Sequence, residues 1–362
     1  MSVVDVLLAL AAIQTPPPII AIPDAPARVP QIVVYEPGDA RCEGETVTPV
    51  SLQPTIPDTS FGQASGEANH RLVRVEFEID RSGRPISVSV ADPALANSDI
   101  GPSLAASRFP SVARTGCQIL VTARRYLPAD LPADVAGFYA IVPSRSRKID
   151  VREFAGPAET TCLTDRPNWL VRAQPNFDEI PADPGSISFT VIAFDVAENG
   201  EPNAIRTLHS SGNSALDRAG LEAIGKWRFR RGKQYRGCSY GYWRSGEAPL
   251  APPPLESDSF GDQDTCPDKE FLDLPPLARF FPPAFNRRDI EGQALVRFDA
   301  ATWGEIGEIE IVEAQPAAAF GEAAKRLLAS TEMTESSSAR TDCLMRVRFA
   351  SSKRNRNPVE NE

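Results

Sequence analysis

Hydrophobic and polar positions fall into the same order three times along this chain. In the middle, Ile187-Ser188-Phe189-Thr190-Val191-Ile192-Ala193-Phe194-Asp195-Val196 alternates over much of its length, which predicts a half-buried strand. Ala197-Glu198-Asn199-Gly200-Glu201 predicts a tight turn, because Asn-Gly accepts positive φ without a Cβ clash. Residues 204–208 then return as the second strand of a hairpin. Residues 210–214 end in a helix cap, with Asp217 in the first turn. Leu216, Ala219, Ala223, Ile224 and Trp227 make one apolar helical stripe, and a last strand follows at 238–243.

The other two segments follow suit. Residues 293–299, a turn at Trp303-Gly304, and residues 308–312 predict a hairpin. Phe320, Ala323, Ala324, Leu327 and Leu328 predict a helix, and Cys343 to Phe349 a final strand. Earlier, residues 72–79 and 86–90 flank a turn at Asp80 to Gly83. The helix near Ser98 to Phe109 is expected to be short and interrupted by Pro102. The expectation is an α+β chain of three tandem small domains. Each is an antiparallel sheet with one helix on a face, in the order β-β-α-β.

Six cysteines keep the same step. Cys42 and Cys117, Cys162 and Cys238, and Cys266 and Cys343 are 75, 76 and 77 residues apart. Gly83, Gly200 and Gly304 keep register with them, 41, 38 and 38 residues after the first cysteine of each pair. A fixed period marks a repeat architecture. The expected division is a leader and proline-rich connector at 1–30, repeats at 31–128, 149–246 and 260–352, and a polar tail at 353–362.

Of the fifteen connectivities that six cysteines allow, the repeat singles out one. Three disulfides would each tie an entry segment to a final strand, in an oxidising compartment. Six reduced, buried thiols are the alternative. Residues 3–13 have the length of a signal-peptide core but carry Asp5 and lack a basic flank. The segment from Pro16 to Pro30 reads as an extended connector. Export is the expectation.

Charge narrows the partners. Thirty-eight Lys and Arg against 48 Asp and Glu give a net charge of −10, which argues against a nucleic-acid partner. His70 and His209 lie far apart, and there is no Gly-rich phosphate loop, G-x-S-x-G or H-E-x-x-H motif. No catalytic, cofactor-binding or metal-binding residue is expected. The basic run Lys226, Arg228, Arg230, Arg231, Lys233 and Arg236 is read as flanking buried Trp227 and Phe229, with contact to an acidic partner or lipid head groups as the alternative.

Ser188-Phe189-Thr190-Val191, Asn199-Gly200, the run from Ser210-Ser211-Gly212 to Leu216-Asp217, and Trp227-Arg228-Phe229 together resemble the TonB carboxy-terminal domain family. The third segment is similar through Phe281-Pro282-Pro283, Arg287-Arg288 and Ile290-Glu291-Gly292, although Ser330-Thr331-Glu332-Met333 stands where the family has W-x-F. The first keeps only the hairpin and Arg108-Phe109.

The resemblance implies a non-enzymatic periplasmic protein that takes extended segments of envelope or outer-membrane proteins as added strands, supporting TonB-type transport. Small-molecule substrates are not expected. The edge strands would be the last ones, through Tyr240, Tyr242, Leu344, Arg346, Val347 and Phe349. A full transducer of that family has an anchor helix and a long spacer, and neither is seen here, so inner-membrane association would require a longer amino terminus. The alternative is a scaffolding protein whose three domains pack on one another.

Overall fold

The computed structural model describes residues 28–63, 70–142, 149–150, 155–256, 272–333 and 339–351. Residues 1–27 of the leader and connector expected at 1–30, Cys266 and the whole polar tail expected at 353–362 lie outside them. The chain is rich in antiparallel sheet with few helices.

The first sheet contains β1 (Arg28–Cys42), β2 (Glu45–Thr46), β3 (Asp58–Gln63), β4 (His70–Ile79), β5 (Pro85–Val90) and β6 (Arg114–Tyr126). Their order is β2-β1-β6-β4-β5, with β3 on β1. The expected hairpin is β4-β5, and the expected last strand is β6. The long β1 is an addition, and it begins at Arg28, inside the segment read as a connector. It runs antiparallel along β6 from Ile32 opposite Tyr126 to Cys42 opposite Cys117, where the two cysteines are bonded. Its prolines sit where a strand tolerates a missing N–H. Pro30 lies before the pairing with β6 begins, and Pro37 lies at the register shift between Pro37 and Ala40. Helix α1 (Ile100–Ala106) is short as expected but not interrupted. Pro102 occupies its first turn, where an N–H has no partner to lose.

Helix α2 (Ala133–Ile141) leads to the second sheet. The region built on it contains β7 (Trp169–Val171), β8 (Ile187–Val196), β9 (Pro202–Ser210), α3 (Ser214–Gly225), β10 (Arg228–Phe229) and β11 (Tyr235–Ser245). The order is β11-β8-β9, and β10 pairs with β7. Asn213 caps α3 through a hydrogen bond from the Leu216 amide. The α3 stripe packs Leu216, Ala223, Ile224 and Trp227 on Ile192, Phe194 and Val196 of β8. The opposite face is covered as well. On α2, Phe138 stacks on Phe189 with ring centroids 4.7 Å apart, within a cluster that includes Ile187 and Val191. The expected half-buried strand is therefore buried on both faces, which explains its nearly continuous apolar run. Cys162 and Cys238 are bonded.

The third sheet follows β12 (Leu272–Asp273) and α4 (Pro283–Arg287). The region built on it contains β13 (Gly292–Ala300), β14 (Ile306–Gln315), α5 (Ala318–Ala329), β15 (Glu332–Met333) and β16 (Arg340–Phe349). The order is β14-β13-β16, and β12 pairs with β15. Phe320, Ala323, Ala324, Leu327 and Leu328 of α5 are buried as expected, as is Cys343.

One contact recurs in all three sheets. The amides of Phe109, Phe229 and Met333 donate to the carbonyls of Gly83, Gly200 and Gly304, at 2.9, 2.9 and 3.1 Å. A Cβ on any of these glycines would lie 2.2 Å from the carbonyl oxygen of that same partner, and all three have positive φ. Four residues further on, Ser87, Ala204 and Glu308 each take positive φ. Met333 thus holds the place of the aromatic that sequence comparison left empty, because the contact is made by backbone.

The first and third sheets share one hydrophobic core, joining Val88, Leu104 and Phe109 to Phe285, Phe320 and Phe349. Val88 also donates to the Pro316 carbonyl at 2.9 Å. At the junction, fully buried Arg288 bonds Asp99 and donates to the Gly185 carbonyl at 3.3 Å, so residues preceding α1, β8 and β13 meet at one guanidinium. No helix among the described residues is long and apolar enough to cross a membrane.

Candidate functional site

The residues expected to mark a binding edge fall on β11 and β16. Each of these strands ends its sheet and has a partner strand on one side only among the described residues. Strand β6, their counterpart in the first sheet, has both sides occupied, by β4 and β1.

Along β16, Leu344 and Arg346 lie on the outer face, whereas Val347 and Phe349 face the core. The Phe349 ring lies 5.7 Å from that of Phe320 and 5.9 Å from that of Phe281. On β11, Tyr242 is buried and Tyr240 half-buried. The sequence assigned these residues to the last strands of two modules. The structure places them on two separate sheets, and half of them contribute side chains to packing rather than to an exposed surface. What these edges offer is backbone.

A cleft of about 800 Å³ opens beside β11. Seven consecutive strand residues, from Gly237 to Trp243, line it. Consecutive residues point to opposite faces, so one cleft can contact all seven only across the strand's outer edge. Gly137, Ala140 and Ile141 of α2 bound it on one side, and Trp169 and Trp227 on the other. At the start of this edge, the entry segment already pairs with it. The Thr161 amide donates to the Arg236 carbonyl at 3.0 Å, and the Arg236 amide donates to Thr161 Oγ1 at 3.0 Å. The disulfide between Cys162 and Cys238 follows at once.

Arg172 dominates the aromatic wall. Its guanidinium carbon lies 5.2 Å from the Trp169 ring centroid, 5.8 Å from Trp227 and 4.8 Å from Tyr240. It also donates to the Tyr240 hydroxyl. Beside it, Tyr242 has a buried hydroxyl with no hydrogen-bond partner. Burial pushes this phenol well above its ordinary range and Tyr240 adds to the shift, while Arg172 opposes it. Trp169, Leu170 and Val171 are 49%, 67% and 51% exposed, an apolar run that core packing does not explain.

Sequence reasoning missed Arg172 and Trp169. Their only sequence signal was three large apolar residues ending in an arginine within a polar entry segment. The basic run from Lys226 to Arg236 behaves as its flanking role required. Trp227 and Phe229 are buried, Arg228 Nη1 donates to the Trp227 carbonyl, and Lys233 pairs with Asp165.

His209 belongs to β9, where burial against α2 pulls its imidazole below the ordinary range, with Asp134 opposing. No cluster of three or more metal-ligating side chains occurs among the described residues. No protein-family model matches the chain, and no curated protein matches it.

Proposed function

We propose that this chain is a non-enzymatic envelope protein of the TonB carboxy-terminal type, built from three divergent tandem domains. It resides in the periplasm and binds extended segments of outer-membrane or other envelope proteins by strand addition, in support of TonB-type transport. The observation that carries this reading is β1 lying antiparallel along β6. The chain itself places an extended segment on the edge of one last strand, while the corresponding edges of β11 and β16 carry no strand among the described residues. Such pairing draws affinity from main-chain hydrogen bonds and makes few demands on partner sequence. The two disulfides fit an oxidising compartment.

The test uses short synthetic peptides from extended segments of outer-membrane proteins, with amide hydrogen exchange as readout. Binding should slow exchange along β11 or β16 and leave β6 unchanged. Cell fractionation should find the protein in the periplasm. Peptides that leave both edges unprotected would sink the binding role.

A scaffolding role is the second reading, and the core shared by the first and third sheets favours it. It requires a third sheet that is unstable when expressed alone. A well-folded isolated third sheet with both edges still protected would count against it.

A further inference from the structure

We infer that the cleft beside β11 selects acidic extended segments, with Arg172 reading the carboxylate. This rests on strand addition as the mode of binding and assigns a ligand chemistry to one edge. The first ground is charge. The chain carries an excess of acidic residues, yet among the described residues no Asp or Glu lines this cleft, and Arg166 is the one ionised lining residue. Arg172 adds a second cation at the rim. No carboxylate among the described residues pairs with either arginine.

The second ground is geometry. Stacking on Trp169, Trp227 and Tyr240 fixes the Arg172 guanidinium plane, and one donor is engaged by the Tyr240 hydroxyl. The remaining donors of a rigid fork suit a carboxylate and lose little side-chain entropy on binding it. The buried, unpartnered hydroxyl of Tyr242 marks polar capacity in the same wall that the protein leaves unused. A segment continuing the pairing begun by Thr161 at Arg236 would run along Ser239 to Trp243, between α2 and this aromatic wall.

Three of the four tryptophans, Trp169, Trp227 and Trp243, line the cleft, and Trp303 lies in the third sheet's turn. In a Trp303→Phe protein, selectively excited tryptophan fluorescence therefore reports this cleft alone. The probes are three synthetic β-prone peptides of one sequence carrying Glu, Gln or Lys at matched positions. Each is also made with alternate backbone N-methylation in either register.

The Glu peptide should bind about fivefold tighter than the Gln peptide, as one exposed ion pair allows, and the Lys peptide weakest. Arg172→Gln should erase the difference between Glu and Gln peptides, and Arg172→Lys should restore part of it. One N-methyl register should abolish binding and the other leave it intact. Equal binding of all three peptides, still sensitive to N-methyl register, would overturn acidic selection and leave strand addition standing. Charge order without register sensitivity would overturn strand addition at this cleft. A Glu preference that survives Arg172→Gln removes Arg172 from the role. A cleft whose fluorescence responds to none of the peptides refutes both ideas.

Discussion

Arg288 and Asp99 are 189 residues apart in sequence and meet with no solvent access to either side chain, Nε donating to Oδ1 at 2.9 Å and to Oδ2 at 3.1 Å. Asp99 Oδ2 also accepts from the Ile56 amide at 2.8 Å. Removing one partner leaves an uncompensated buried charge. Arg288→Met is expected to cost about 3–5 kcal/mol, read from denaturant unfolding. The double variant Arg288→Met with Asp99→Leu should recover most of that loss. If the double variant is as unstable as the single one, the carbonyl contacts of Arg288 matter more than the ion pair.

The bond between Cys42 and Cys117 closes a loop with a sequence separation of 75 and fastens the end of β1 to β6. Its removal should cost about 4.5 kcal/mol on the chain-entropy estimate. Amide exchange in Cys42→Ala, Cys117→Ala protein should accelerate in β1 before it does in β4. Uniform acceleration across the first sheet would mean that β1 is integral to its core rather than fastened on.

Turn glycines offer a matched pair. Gly200 and Gly212 both have positive φ, but an added Cβ meets the Phe229 carbonyl oxygen at 2.2 Å in the first case and nothing within 4 Å in the second. Gly212→Ala should cost about 1 kcal/mol of backbone strain, and Gly200→Ala clearly more, because the turn must also part from β10. Equal losses in thermal unfolding would show that the Phe229 contact yields easily.

Stability should also respond to His209. Its folded-state value lies below the ordinary 6.5, so the unfolded chain binds the proton first as pH falls. The contribution is whole above pH 6.5 and is lost progressively below it, down to the depressed folded value. A series of melting temperatures from mildly alkaline to mildly acid pH should fall in that window, and His209→Asn should flatten it. An unchanged slope in the variant would assign the effect to other groups.

Much of the sheet framework was legible in sequence, because the three hairpins and helices carry strong periodic patterns and the glycine turns need no tertiary context. The rest failed for physical reasons. Glu36-Pro37-Gly38-Asp39 has turn composition, yet it forms a bulge within β1, since a strand can absorb a proline where the register shifts. Helix α2 shows no stripe because it is a wedge. Ala136 and Tyr139 face Ile32 and Val34 of β1, while Phe138 faces the second sheet. The Arg172 wall joins Trp169 of β7, Trp227 just before β10 and Tyr240 of β11, whose proximity no local pattern encodes. The last strands were found, but which edges stay open depends on β1, which the sequence hid.

The placement of β1 also sets a valency. If last-strand edges are the docking places, a chain with three such strands but one occupied by itself can grip at two points. A partner offering two extended segments would then be held through the high effective concentration of the second contact, and a partner offering one would exchange freely.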